Sequence, residues 1–246
     1  MIVEFAGLPG AGKSSLEKAV IKKLESRGWS AKPRDAAVRS LAARCSPFPR
    51  DRCTISRRLS TLCYKSSLLW ELLSNSERLL SLMDFLSIHR TRAALRVIED
   101  LRLHRLGNCD EPAQQIINTS EGLAQHVIAL SAWRKKLGSQ GHLEFSQHLR
   151  SSNFAADSVL VVVSTEKSVA EARLTARGIP ELWPRQVEPG EVLTLFSQGL
   201  AALMEVTAAN SAPTVIVIDG NSAPSHWTSE ADEVVRILTQ KLSNPV

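Results

Sequence analysis

Several things are missing from this sequence, and each absence narrows its chemistry. Cys45, Cys53, Cys63 and Cys109 show no C-x-x-C spacing, and no two of the six histidines stand in a metal-binding motif. Free thiols in a reducing compartment are therefore expected. No uncharged apolar run approaches the roughly 18 residues of a membrane span, so none is expected. The amino terminus goes directly into a short apolar run, without the basic, apolar and small-residue segments of an export signal, and a cytoplasmic location is expected. There is no internal repeat and no low-complexity linker. Neither glycine nor proline occurs from Arg50 to Leu106, which points to long helices there.

The 246 residues suffice for one large α/β domain with a helical insert. Thirty Lys and Arg against 25 Asp and Glu give a net charge of +5. The excess is uneven: residues 1–110 hold 20 basic and 11 acidic side chains, and residues 111–246 hold 10 and 14. Such asymmetry suits a partner or substrate that carries negative charge, and it equally suits a solvated helical surface.

One dense motif stands against these absences. Gly7-Leu8-Pro9-Gly10-Ala11-Gly12-Lys13-Ser14 has two glycines separated by four residues, then Lys and Ser, which is the Walker A phosphate-binding pattern. Glycines reach backbone angles closed to residues with a Cβ, so such a loop can wrap an anion with its N–H groups inward. Lys13 adds a cation for the β and γ phosphates, Ser14 a hydroxyl for Mg²⁺, and the following helix the positive end of its dipole. The context fits. Ile2 to Ala6 is a strand-forming run, and Ser14 to Arg27 carries Leu16, Ala19, Val20 and Leu24 at helical spacing before Gly28. Over residues 1–28 the chain resembles the P-loop NTPases.

Further strands are expected at 29–35, 114–119, 157–164 and 215–220. The run Val159 to Val163 suits a parallel strand covered on both faces, and Val215 to Ile218 reads as a last buried strand. Helices are expected at 36–44, 122–133, 166–177, 191–209 and 229–242. In the Gly- and Pro-free segment, Ile55, Leu59, Leu62, Leu69 and Leu73 recur in steps of one helix face. Strands alternating with helices predict an α/β fold: a three-layer P-loop NTPase domain with a five-stranded parallel sheet. A single domain is expected over 1–246, with a helical, acceptor-binding insert at about 36–110 after the second strand and a Pro-rich loop at about 178–190.

Four landmarks resemble the nucleoside and nucleotide kinase branch, and its thymidylate-kinase-like members in particular. They are the loop itself, Ser120-Glu121-Gly122-Leu123, the strand Val161 to Val163 with the helix Ala170 to Gly178, and Val217-Ile218-Asp219-Gly220. The resemblance implies an ATP- and Mg²⁺-dependent phosphotransferase whose loop 178–190 is a mobile lid. ATP would lie on Gly7, Pro9, Gly10, Ala11, Gly12, Lys13, Ser14 and Ser15, with Ser14 as metal ligand. Arg173 and Arg177, four apart on one helix face, would bring charge to the nucleotide and the travelling phosphoryl group. Asp35 and Glu121, at strand ends, would meet the acceptor with Arg39 and Gln125, and either acid would serve as base. The sequence departs from the family at Ser120, where many relatives carry an Asp.

The expected activity is transfer of the γ-phosphoryl group to a hydroxyl or phosphate of a nucleoside, nucleotide or sugar-type acceptor. A nucleic-acid 5′-end is a less favoured acceptor, and a homodimer stays open. The alternative is a nucleotide-binding switch or regulatory protein with a degenerate kinase fold, which the missing Asp favours and the lid-like helix opposes. A guanine-type Asn-Lys-x-Asp signature is absent. Sulfotransferases that cradle a phosphosulfate are a third, weaker reading.

Overall fold

The structure is a computed structural model, in which the described residues are 1–38, 115–119, 122, 124–125, 128–129, 158–178, 188–208, 214–222 and 227–243. Residues 39–110 of the expected insert and 179–187 of the expected lid lie outside them.

Strand β1, Ile2–Gly7, is buried along its whole length. Helix α1, Lys13–Ser26, buries Leu16, Val20 and Leu24, whose four-residue steps make one apolar stripe. Its end is built by Gly28 at φ 81°: Gly28 N–H donates to Glu25 O and Trp29 N–H to Leu24 O, both at 3.0 Å. That pair of bonds is the glycine-dependent helix stop known as the Schellman motif.

Strand β2, Ser30–Pro33, is shorter than the expected 29–35. Pro33 has no N–H with which to continue a ladder, and residues 34–38 turn into a helix instead. Asp35 therefore stands on a helical turn and not at a strand end. Strand β3, Gln115–Thr119, follows, with helical residues at 124–125 and 128–129. Strand β4, Ser158–Ser164, is buried from Ser158 to Val163, as its continuous apolar run requires. Helix α2, Lys167–Arg177, stops at Gly178, and helix α3 spans Pro189–Ala208. Its start precedes the expected Glu191 because proline, which lacks only an N–H that the first turn leaves unused, is well tolerated there. Strand β5, Thr214–Asp219, and helix α4, Trp227–Ser243, complete the described elements.

The strands form one sheet in the order β2-β3-β1-β4-β5, and every neighbouring pair is parallel. Helix α1 packs against α4, while α3 lies against β1 and α2. A Cβ on Gly199 of α3 would come within 2.8 Å of Ile128 O, so α3 and the helical residue Ile128 touch at backbone distance. Strand β5 corrects the expectation of a second fully buried strand. It is outermost, only Ile216 and Ile218 are buried, and Val217 is 57% exposed. An outer strand has a neighbour on one side only, and here its side chains alternate between core and solvent. Among the described residues no helix is long and apolar enough to cross a membrane.

Leu238 of α4 is fully buried in the core that α1 also lines. Replacing it by Ala is expected to cost about 2–5 kcal/mol of stability in urea unfolding. Val217→Ala, on the exposed side of β5, is expected to stay within about 0.5 kcal/mol of the wild type.

Candidate nucleotide site

Because the sheet is parallel, the carboxyl ends of all five strands lie at one edge. The chain continues from β1 and β4 to opposite sides of the strand order, so the loop after β1 opens into the crevice where ligands of such sheets bind. Three of its glycines fit their places for a steric reason. A Cβ on Gly7 would lie 2.6 Å from Val163 O, one on Gly10 2.5 Å from Ala170 O, and one on Gly12 2.6 Å from Cζ2 of Trp227. Gly10 and Gly12 also have φ of 85° and 94°. Strand β4, helix α2 and helix α4 thus each press on the loop at a point where only a hydrogen fits.

The loop closes on itself through Ala11 N–H, which donates to Leu8 O at 3.0 Å. Gly12 caps α1 in the left-handed conformation with no side-chain cap, and the first turn of α1 contains no acid. The positive end of the dipole is therefore not offset by a carboxylate from its own first turn. Lys13 bends back over the loop, donating from Nζ to Leu8 O at 2.9 Å and Gly7 O at 3.1 Å. Its ammonium lies across the backbone that would cradle a phosphate, and Ser14 and Ser15 are exposed at the mouth. The donor set fits an anion. For Mg²⁺, which usually keeps several waters and takes one or two protein ligands beside phosphate oxygens, the Ser14 hydroxyl fits as one such ligand. Among the described residues no group of three His, Cys, Asp or Glu side chains gathers to hold a metal by itself.

Two residues after β3 reach the loop and β1. Gly7 N–H donates to Gln125 Oε1 at 3.1 Å, so the carbonyl of this expected acceptor-binding side chain is used to fix the loop. Ala124 N–H donates to Glu4 Oε2 at 2.7 Å, and Glu4 is only 2% exposed in the middle of β1. Sequence reasoning missed Glu4. The signal was a carboxylate inside the apolar run before the loop, where burial requires hydrogen-bonded partners. It also missed Trp227, 3% exposed and seated on Gly12, which carries no local signal in the sequence.

The two expected arginines have different surroundings. Arg173 donates from Nη1 to Gly220 O at 2.7 Å and Ala11 O at 3.4 Å, and from Nη2 to Ser222 O at 2.8 Å and Asn221 O at 3.2 Å. Arg177, one turn later, is exposed and has no partner among the described residues. Asp35, 79% exposed by side chain, lies 3.6 Å from Nη1 of its neighbour Arg34. Glu121 and Arg39 lie outside the described residues.

No protein-family profile matches the chain, and no curated protein matches it by sequence. Among solved structures it resembles deoxyadenosine kinase from M. mycoides with bound dCTP, at 12% identity and a TM-score of 0.51 over 98% of this chain and 100% of that one. The same enzyme with products dCMP and a flexible dCDP bound gives 12% and 0.51, over 98% and 99%. Shikimate kinase from Acinetobacter baumannii in complex with shikimate gives 13% and 0.45, over 98% and 93%. The first two likenesses show a shared α/β kinase fold.

Gly12 and Gly28 separate two costs of a side chain, since both have positive φ but only Gly12 is crowded. Gly28→Ala is expected to lose about 1 kcal/mol from backbone strain alone. Gly12→Ala is expected to lose more and to abolish binding of a fluorescent ATP analogue, measured by titration beside a denaturant curve.

Proposed function

We propose that this chain is an ATP-dependent phosphotransferase that passes the γ-phosphoryl group to a hydroxyl of a small-molecule acceptor, a nucleoside, nucleotide or sugar. The observation that carries the reading is the assembled phosphate loop: uncapped helix, crowded glycines, and the Lys13 ammonium held over the backbone. Lys13 would exchange two carbonyls for phosphate oxygens, a charge-assisted replacement that favours the bound state. Mg²⁺, with Ser14 as its protein ligand, would supply neutralisation of phosphate charge. The four sequence landmarks support the thymidylate-kinase-like branch, and a cytoplasmic location is part of the proposal.

Strand order bears on the acceptor side. Strand β3 lies beside β1, whereas β2 is one strand further out, which at about 4.8 Å per strand puts the β2 end roughly 10 Å from the loop's own strand. On this reading Glu121, which follows β3 by two residues in the sequence, is the base we favour over Asp35. Gln125 would position the same region, having tied its carbonyl to Gly7. Arg39 would assist acceptor binding from the insert, and closure of the segment 178–190 with Arg177 would exclude water, without which ATP would be hydrolysed.

The test is incubation with γ-labelled ATP and pooled nucleosides, nucleotides, sugars and RNA 5′-ends; one acceptor should gain the label. Nucleotide binding with no transfer to any pool would favour the regulatory reading instead. Lys13→Ala should abolish transfer while leaving the circular-dichroism spectrum unchanged. With the acceptor identified, Glu121→Gln should slow transfer by about 10²–10⁴. Asp35→Asn should slow it much less, and a large loss from Arg39→Ala beside a small one from Glu121→Gln would indicate a phosphate acceptor.

A further inference from the structure

We propose that Arg173 is a positioning residue that locks the phosphate loop and the loop after β5 into one rigid cradle, and that it does not contact the γ-phosphate. The inference rests on the nucleotide-site reading above and revises the role that the resemblance assigns to this arginine. Its guanidinium donates to four carbonyl oxygens, one in the phosphate loop at Ala11 and three in succession at Gly220, Asn221 and Ser222. A planar fork with five donors can serve these four acceptors across two backbone segments at once, one more than the three donors of a lysine ammonium can reach. Hydrogen bonds from a charged donor are also stronger than neutral ones, so leaving these acceptors for phosphate oxygens carries a cost.

The surroundings of Arg173 favour a fixed post over a swinging one. Helix α2 is tied to the β5 loop at its other end too, because Glu166 N–H donates to Asn221 Oδ1 at 2.8 Å. Asn221 N–H donates in turn to Asp219 Oδ1 at 3.0 Å, and Gly220 N–H donates to Ser164 O at 2.6 Å. On the loop side, Gly10 lies against Ala170 and Leu174 of the same helix. Helix α2 is therefore docked on both loops at several points, and Arg173 is a side chain that bonds to both. Exposed Arg177 is left to meet the phosphoryl group.

A positioning role and a γ-phosphate contact differ in what each removes. In Arg173→Ala, amide exchange in the segment 219–222 is expected to accelerate in the nucleotide-free protein while 158–164 keeps its protection. Affinities for ATP and ADP should both fall by the same factor, about tenfold, with kcat at saturation within about threefold of wild type. Arg173→Lys should behave like Arg173→Ala. The proposal is overturned by weaker ATP binding with ADP unaffected, by a kcat loss of about a hundredfold at unchanged KM, or by full recovery in Arg173→Lys. Unchanged exchange at 219–222 overturns it as well, as does global unfolding of both variants, because a role confined to two loops leaves the sheet intact. Should the wild type bind neither nucleotide, the kinase reading fails, and exchange in the free protein still decides whether Arg173 locks the two loops.

Discussion

The constraint on which the rest of this structure depends is the absence of three Cβ atoms. Gly7, Gly10 and Gly12 each meet a different element, respectively the β4 backbone, the α2 backbone and the Trp227 ring, at distances that a methyl group would violate. The phosphate loop is consequently packed into the molecule instead of lying on it. Its neighbours cannot approach without it, and its shape is set by them before any ligand arrives. Preorganisation of this kind lowers the ordering cost of binding, since the loop's backbone is already fixed by its neighbours.

Around that packed loop the polar contacts are long-range in sequence and short in space. Gln125 holds Gly7, Glu4 holds Ala124, and Arg173 holds Ala11 together with the loop after β5. Each joins the loop or its strand to an element more than a hundred residues away or to the far side of β4. The apolar core fixes the layers and these few bonds fix the edge of the sheet where chemistry is expected. Substitutions in the two sets should accordingly be felt in different measurements, the first in stability and the second in ligand affinity.

Much of the framework was legible because its signals are local. The Walker pattern, the apolar runs of β1 and β4, the stripe of α1 and the stop at Gly28 each lie within one short window, and each appears where the sequence puts it. Signals that depend on partners were not. Nothing near Trp227 announces that its ring seats on Gly12, and the spacing of Arg173 and Arg177 says that they share a helix face but not that one of them finds four carbonyls first. Strand β5 looked fully buried because apolar composition does not reveal an outer position in the sheet. For β2 the stop has a local signal in Pro33, which has no N–H for a ladder, and Asp35 two residues later belongs to the helical turn that follows. Glu121, Arg39, residues 39–110 of the insert and 179–187 of the lid lie outside the described residues.

The strand order also has a consequence for how such a chain is born. β1 is synthesised first yet sits at the centre, hydrogen-bonded to β3 at 115–119 and β4 at 158–164. At ordinary elongation rates the ribosome needs on the order of ten seconds to travel from the phosphate loop to the end of β4. For most of that interval, until β3 is made, this buried strand and its glycine loop have neither neighbour, and parallel pairings so distant along the chain are slow to form. Newly made chains should therefore depend on protection of the β1–α1 segment by a chaperone, and a ligand for the loop can help only after β4 has emerged.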